Sequence, residues 1–166
     1  MLIAHLPSGY LLGRAGGARG PAMAAALFGA VAPDLDMFWF HFVDHGRVLH
    51  HDYWTHLPAF WLIAGLVTLP LLRLFAPRCL RPAGFFLAAV FLHLVLDTFV
   101  GGIIWGWPVD HRQIALAVVP ATHDHWVMNF ILHWSFLPEI AITLAAIWLW
   151  WRDRARGRVA TARGAR

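Results

Sequence analysis

Apolar residues fill four long stretches of this chain, at residues 21–42, 57–76, 83–107 and 126–151. Each is close to the roughly 20 mostly apolar residues that a helix needs to cross a bilayer. The second stretch is the cleanest. The first is interrupted by Ala32-Pro33-Asp34-Leu35-Asp36, the third contains His93 and Asp97, and the fourth contains His133 and Glu139. A further apolar piece, residues 1–13, is too short to span and reads as a half-helix or an interfacial segment. The pattern predicts an all-α fold: a polytopic membrane helical bundle of about four transmembrane helices plus a short N-terminal half-helix. Residues 1–151 read as a single integral membrane domain, and 152–166 as an Arg-rich, disordered tail.

Composition agrees with the pattern. Hydrophobic residues make up 60% of the 166 and charged residues 13%, about half the charged share of a soluble domain. That excludes an ordinary cytosolic domain and a disordered chain. Cys79 is the single cysteine, which excludes a disulfide scaffold. The first apolar run lacks a basic leader and carries His5, so no cleavable signal peptide is expected.

Charge sets the expected orientation. All 13 basic residues are Arg, and 11 of them group before the first span (Arg14, Arg19), between the second and third (Arg73, Arg78, Arg81) and after the fourth (Arg152 onward). With four crossings these groups share one side, the cytoplasmic one by the positive-inside rule. The distribution predicts a multi-pass protein of the cytoplasmic (inner) membrane, in contact with membrane lipid and with its C-terminal tail in the cytoplasm. It is not the basic face of a nucleic-acid binder, and no nucleic-acid partner is expected. Trp54, Trp61, Trp105, Trp107 and Trp126 fall near the predicted interfaces, as aromatic belts do.

The misplaced polar residues carry the chemistry. An Asp at mid-membrane costs about 2.5–3.5 kcal/mol on the insertion scale, so Asp34, Asp36 and Asp97 should not face lipid. They must pair, protonate, line a wet cavity or bind a metal. His93 and Asp97 are spaced i, i+4 and share one helix face, which suits either a metal or a His–Asp hydrogen bond. Asp34 and Asp36 follow Pro33, where the helix should break and line a cavity, or where an Asp should cap free amides. His50, His51 and His56 crowd seven residues before the second span, and His51 and His56 are the candidates there. His5 stands on the N-terminal segment, with Gly9 and Gly13 allowing close packing along its helical face. Asp34, Asp36, His51, His56, His93 and Asp97 converge on one predicted depth. A set of His and Asp without thiolate suits Zn²⁺, and also Mn²⁺ or Fe²⁺. An open coordination position would supply hydroxide near neutral pH, with Asp34 or Asp36 as general base. His41, Asp44, His45, His111, His123, Asp124, His125 and His133 read as interfacial polar residues.

Taken in order, Ala4-His5-Leu6, Pro33-Asp34-Leu35-Asp36, His51 to Thr55-His56, His93-Leu-Val-Leu-Asp97 and Trp107-Pro108 resemble the YdjM-like membrane-bound metal-dependent hydrolases. The resemblance covers about residues 4 to 108. That family is in turn distantly similar to zinc-dependent phospholipase C and the single-strand-specific zinc nucleases, all-helical proteins whose His and Asp bind zinc and activate water. The resemblance implies His5, Asp34 or Asp36, His51 or His56, His93 and Asp97 as ligands. Asp52 stands where the family often has Arg. His133 and Glu139 are six apart and do not form the pair that completes the larger zinc cluster, so one or two metals are implied. The expected function is a membrane-embedded metal-dependent hydrolase acting on a phosphoester or lipid-linked substrate. The alternatives are an intramembrane metal or proton carrier, and a membrane protein with a purely structural metal.

Overall fold

The computed structural model describes residues 1–164, with side chains described to Arg156. It is all-helical: α1 (His5–Ala15), α2 (Pro21–Gly29), α3 (Met37–Phe42), α4 (Pro58–Phe75), α5 (Leu80–Thr98), α6 (Trp126–Ile131) and α7 (Phe136–Gly164). Short 3-10 turns at Pro33–Asp36, His50–Asp52, Trp54–His56 and Pro77–Cys79 join them. The one β pairing among the described residues is an isolated bridge between Ile103 and Ile114.

Two helices are long and apolar enough to cross a membrane, α4 and the segment Pro77–Thr98 that contains α5. The first apolar stretch forms a bent pair, Pro21–Gly29 and Pro33–Phe42, turned by 54° at the break, and counts as a third crossing if the pair is one span. Pro33 explains the break: it has no amide to continue the α2 ladder, and it opens the 3-10 turn instead. Four separate spans are therefore more than the helices display. The fourth stretch is divided by non-helical residues 132–135, where His133 Nδ1 bonds the Ser135 hydroxyl (2.8 Å). Its apolar remainder, 136–151, is shorter than a full crossing. The third stretch stops being helical at Thr98, whose hydroxyl donates back to Leu94 O (2.8 Å). Past Trp151, α7 continues to Gly164, so the segment expected as a disordered tail begins as helix; Ala165 and Arg166 lie outside the described residues.

Only 11% of the α4 window and 22% of the Pro77–Thr98 window is buried inside the protein. Leu62, Leu66, Leu71 and Phe75 of α4 are exposed, which in water would be a large aggregation-prone face and in lipid is ordinary. The buried core is small: Val90, Leu94 and Ile103, with Trp61, Phe86, Phe91 and Trp105 packed on it. Small residues bring the inner helices close, as expected between membrane helices. A Cβ on Gly29 would sit 2.3 Å from Phe86 O, so α2 lies directly on the α5 backbone. Gly9 of α1 meets Ala26 and Ala30 of α2 in the same way.

One end of the bundle is rich in Arg. Arg14 pairs with both carboxylate oxygens of Asp153 (2.6 and 3.0 Å), and Arg81 donates to Gly17 O (2.8 Å). At 1.5 Å per residue, His5 lies roughly 13 Å from Arg14 along α1, and Asp97 about 24 Å from Arg81 along α5. The N-terminal helix is too short to cross a bilayer, and its start brings His5 Nε2 to 3.1 Å from Asp97 Oδ1.

Candidate metal centre

Four stretches of chain meet at the start of α1. His5 begins α1, Asp34 and Asp36 lie in the turn after the break, His50–His56 come from the 3-10 turns before α4, and His93 and Asp97 occupy one face of α5. The i, i+4 spacing does bring the last two together: His93 Nε2 is 2.9 Å from Asp97 Oδ2. His5 Nε2 is 3.1 Å from Asp97 Oδ1 and 3.9 Å from Asp34 Oδ2, and its ring stacks on that of His93 at 3.7 Å. Nε2 of His56 and of His51 lie 3.7 and 3.8 Å from Asp97 Oδ2. The Met1 amine also contacts Asp97 Oδ1.

The second nitrogen of three of these imidazoles is already committed. His93 Nδ1 donates to Ala30 O (2.8 Å), His51 Nδ1 to Gly101 O (2.6 Å) and His56 Nδ1 to Asp36 Oδ2 (2.9 Å). Carbonyl and carboxylate oxygens only accept, so in the neutral ring the proton is on Nδ1 and Nε2 offers a lone pair. Metal-binding histidines are oriented in this way. The lone pairs then face the carboxylate oxygens of Asp34 and Asp97, acceptor against acceptor. Nε2 of His5, His56 and His93 and Oδ2 of Asp97 are buried without a hydrogen-bond partner. Each such atom costs about 1–3 kcal/mol if left alone. A divalent cation among them removes the conflict. His5, Asp34, His93 and Asp97 offer atoms within 4.8 Å of one another, as do His50, His51 and His56. The donor set, imidazole and carboxylate without thiolate, fits Zn²⁺, Mn²⁺ or Fe²⁺.

The two aspartates after Pro33 differ. Asp36 turns away from the cluster and accepts from the Thr55 hydroxyl and His56 Nδ1, so it orients a ligand and is not one of the converging donors. Asp34 points inward, its Oδ1 lying 3.6 Å from His93 Nε2 and 3.8 Å from His56 Nε2. Sequence reasoning left His51 or His56 open; the structure turns both toward Asp97. It passed over His50, whose Nδ1 is 2.9 Å from Asp36 Oδ1 and whose Nε2 is 3.2 Å from Asp34 Oδ1. The His-His doublet was its only sequence signal. Burial disfavours the charged ring of His50, but hydrogen bonds to Asp34 and Asp36 outweigh it and raise its pKa to about 9. Burial dominates at His51 and lowers it to about 4, which leaves that ring neutral. Gly101 makes room for it: a Cβ there would lie 2.0 Å from the His51 ring.

Glu139 was the other residue whose role the sequence hid. It is buried, and its Oε2 accepts the backbone amides of Leu2 and Ile3 (both 2.7 Å), fixing the approach to His5. The polar residues expected at interfaces stay out of both donor groups. His125 caps α6 through Val127 N, His123 bonds Asn129, and Asp44 accepts from Tyr53.

A cavity of ≈ 270 Å³ opens onto the cluster, bounded by Asp34, His50, His51 and Asp97 and by the apolar Met37, Val100, Trp126 and Phe130. The last four also line an adjoining cleft of ≈ 470 Å³.

No curated protein and no solved structure matches the chain, and the further similarity to phospholipase C and the zinc nucleases is not shown. The family model of the YdjM inner membrane proteins matches residues 1–160, which takes in every helix that carries a donor. This chain belongs to the YdjM inner membrane protein family.

Proposed function

We propose that the protein is a membrane-embedded metal-dependent hydrolase of phosphoester or lipid-linked substrates. The observation that carries this is the ring of buried imidazole lone pairs and carboxylate oxygens that a divalent cation would reconcile, set at the floor of a cavity with apolar walls. His5, Asp34, His93 and Asp97, together with His51 and His56, would hold the metal centre. When bound, a divalent ion of this kind lowers the pKa of water to near 7 and supplies hydroxide. Asp34 would ligate through one carboxylate oxygen and accept the proton of an attacking water through the other. Its side chain is 34% exposed and lines the cavity, while Asp36 and Asp97 are 6% and 1% exposed. His50 holds Asp34 in position. Met37, Val100, Trp126 and Phe130 keep bulk water out and accommodate an apolar chain, so the substrate reads as an amphiphile with its ester at the metal end.

The test is a turnover screen of the detergent-purified protein on phosphodiester, phospholipid and lipid-pyrophosphate substrates, metal-loaded against chelator-stripped. Activity is expected in the loaded protein, restored on reloading, and lost in His93→Ala. A bound metal with no turnover on any class would sink the hydrolase reading. Metal flux across proteoliposomes would replace it with the carrier.

The same reading includes an orientation with the Arg-rich end and the C-terminal segment in the cytoplasm. Cys79, the single cysteine, lies in the turn between α4 and α5 and is partly exposed. A membrane-impermeant maleimide is expected to label it in inverted vesicles and not in intact spheroplasts. Labelling in spheroplasts would reverse the orientation.

A further inference from the structure

We propose that the centre holds two divalent ions bridged by Asp97, and that the second, bound by His51 and His56, is the one open to the cavity. This rests on the metal reading above and adds to it the number of ions and the division of ligands.

The donors are too many for one ion. His5, Asp34, His93 and Asp97 already make four, the number that fills a tetrahedral site. His51 and His56 remain, each with Nδ1 fixed on an acceptor and Nε2 turned to Asp97 Oδ2. Asp97 touches both groups: Oδ1 lies toward His5, and Oδ2 lies 2.9 Å from His93 Nε2 and also toward His51 and His56. A carboxylate so placed can join two ions, which in two-metal sites stand about 3.5–4 Å apart. His56 is fully buried and its Nε2 has no hydrogen-bond partner, so it awaits a ligand of its own.

The two positions differ in their number of protein donors. Asp34 of the first and His51 of the second line the ≈ 270 Å³ cavity together with Asp97, while His5, His56 and His93 do not. Four protein donors close the first position. The second has three, from His51, His56 and Asp97, and its remaining place faces the cavity. That division, one closed and one open, matches the difference between structural and catalytic metal sites. His50 stands next to the second ion without serving it, because both of its nitrogens face carboxylate oxygens of Asp34 and Asp36.

The experiment is Mn²⁺ titration of the chelator-stripped, detergent-purified protein, read by elemental analysis and by electron paramagnetic resonance. Wild type is expected to bind two Mn²⁺ per chain and to show an exchange-coupled spectrum at saturation. His51→Ala/His56→Ala should bind one and show the hyperfine pattern of an isolated ion. Saturation of wild type at one uncoupled ion overturns this proposal and leaves the metal reading standing. No bound ion in wild type overturns both. Two coupled ions retained in the double variant would refute the ligand assignment. The wild-type spectrum needs no substitution, so misfolding of a variant cannot shield the proposal.

Discussion

Asp97→Asn is expected to remove metal binding almost completely. Its two oxygens lie within 4 Å of four imidazoles, those of His5, His51, His56 and His93. Asparagine keeps the volume of the side chain, so the bundle should still fold. It removes the charge and replaces one oxygen by an amide that donates and cannot ligate. The loss should exceed the roughly 10–100-fold drop that follows removal of an outer partner of a metal ligand. Asp36→Asn, which alters the partner of His56 Nδ1, of His50 Nδ1 and of the Thr55 hydroxyl, should fall within that smaller range. Competition against a chromophoric chelator measures both affinities, and near-UV circular dichroism checks the fold. A change below tenfold in Asp97→Asn would remove Asp97 from the ligand set.

The second large effect is one of packing. Gly29→Ala would place a methyl group 2.3 Å from Phe86 O and 3.0 Å from two further Phe86 backbone atoms. Backbone cannot rotate aside as a long side chain can, so α2 must lift from α5. Overpacking of this kind costs about 1–3 kcal/mol. It should also weaken the metal site, because the next residue, Ala30, supplies the carbonyl that orients His93. Gly84→Ala is the control. It lies in α5 with open space where the methyl would go, and should be neutral or stabilise by about 0.4–1 kcal/mol. Thermal unfolding in detergent should lower the midpoint for Gly29→Ala only. Equal midpoints for the two variants would mean that the close helix contact carries no weight.

What the sequence disclosed about this protein follows the range of its interactions. His93 and Asp97 were legible as a pair because a single helix fixes their geometry. Asp34 and Asp36 were legible as anomalies because carboxylates in an apolar stretch are costly. Which of them faces the cluster was not, since that depends on the path of the 3-10 turn after Pro33. The part played by His50 depends on a loop fold and on two aspartates 14 and 16 residues away. Hydropathy marked the apolar stretches but not where their helices stop, which polar contacts at Thr98 and Ser135 accompany. Glu139 was opaque for another reason. Its partners are main-chain amides of residues 2 and 3, and no side-chain pattern announces them.

Both ends of α1 are tied to the last helix: the amides before it to Glu139, and Arg14 to Asp153. This has a consequence for biogenesis. Of these helices α1 leaves the ribosome first, is too short to cross a bilayer, and depends on α7 to be held in it. His5 therefore reaches its place only after α7 is made. A nascent chain could offer the later donors, but the complete set exists only once α7 has emerged. On the proposed metal reading, loading would wait for α7, the last of the described helices, and the assembly of the centre would record that the helices before it are in place.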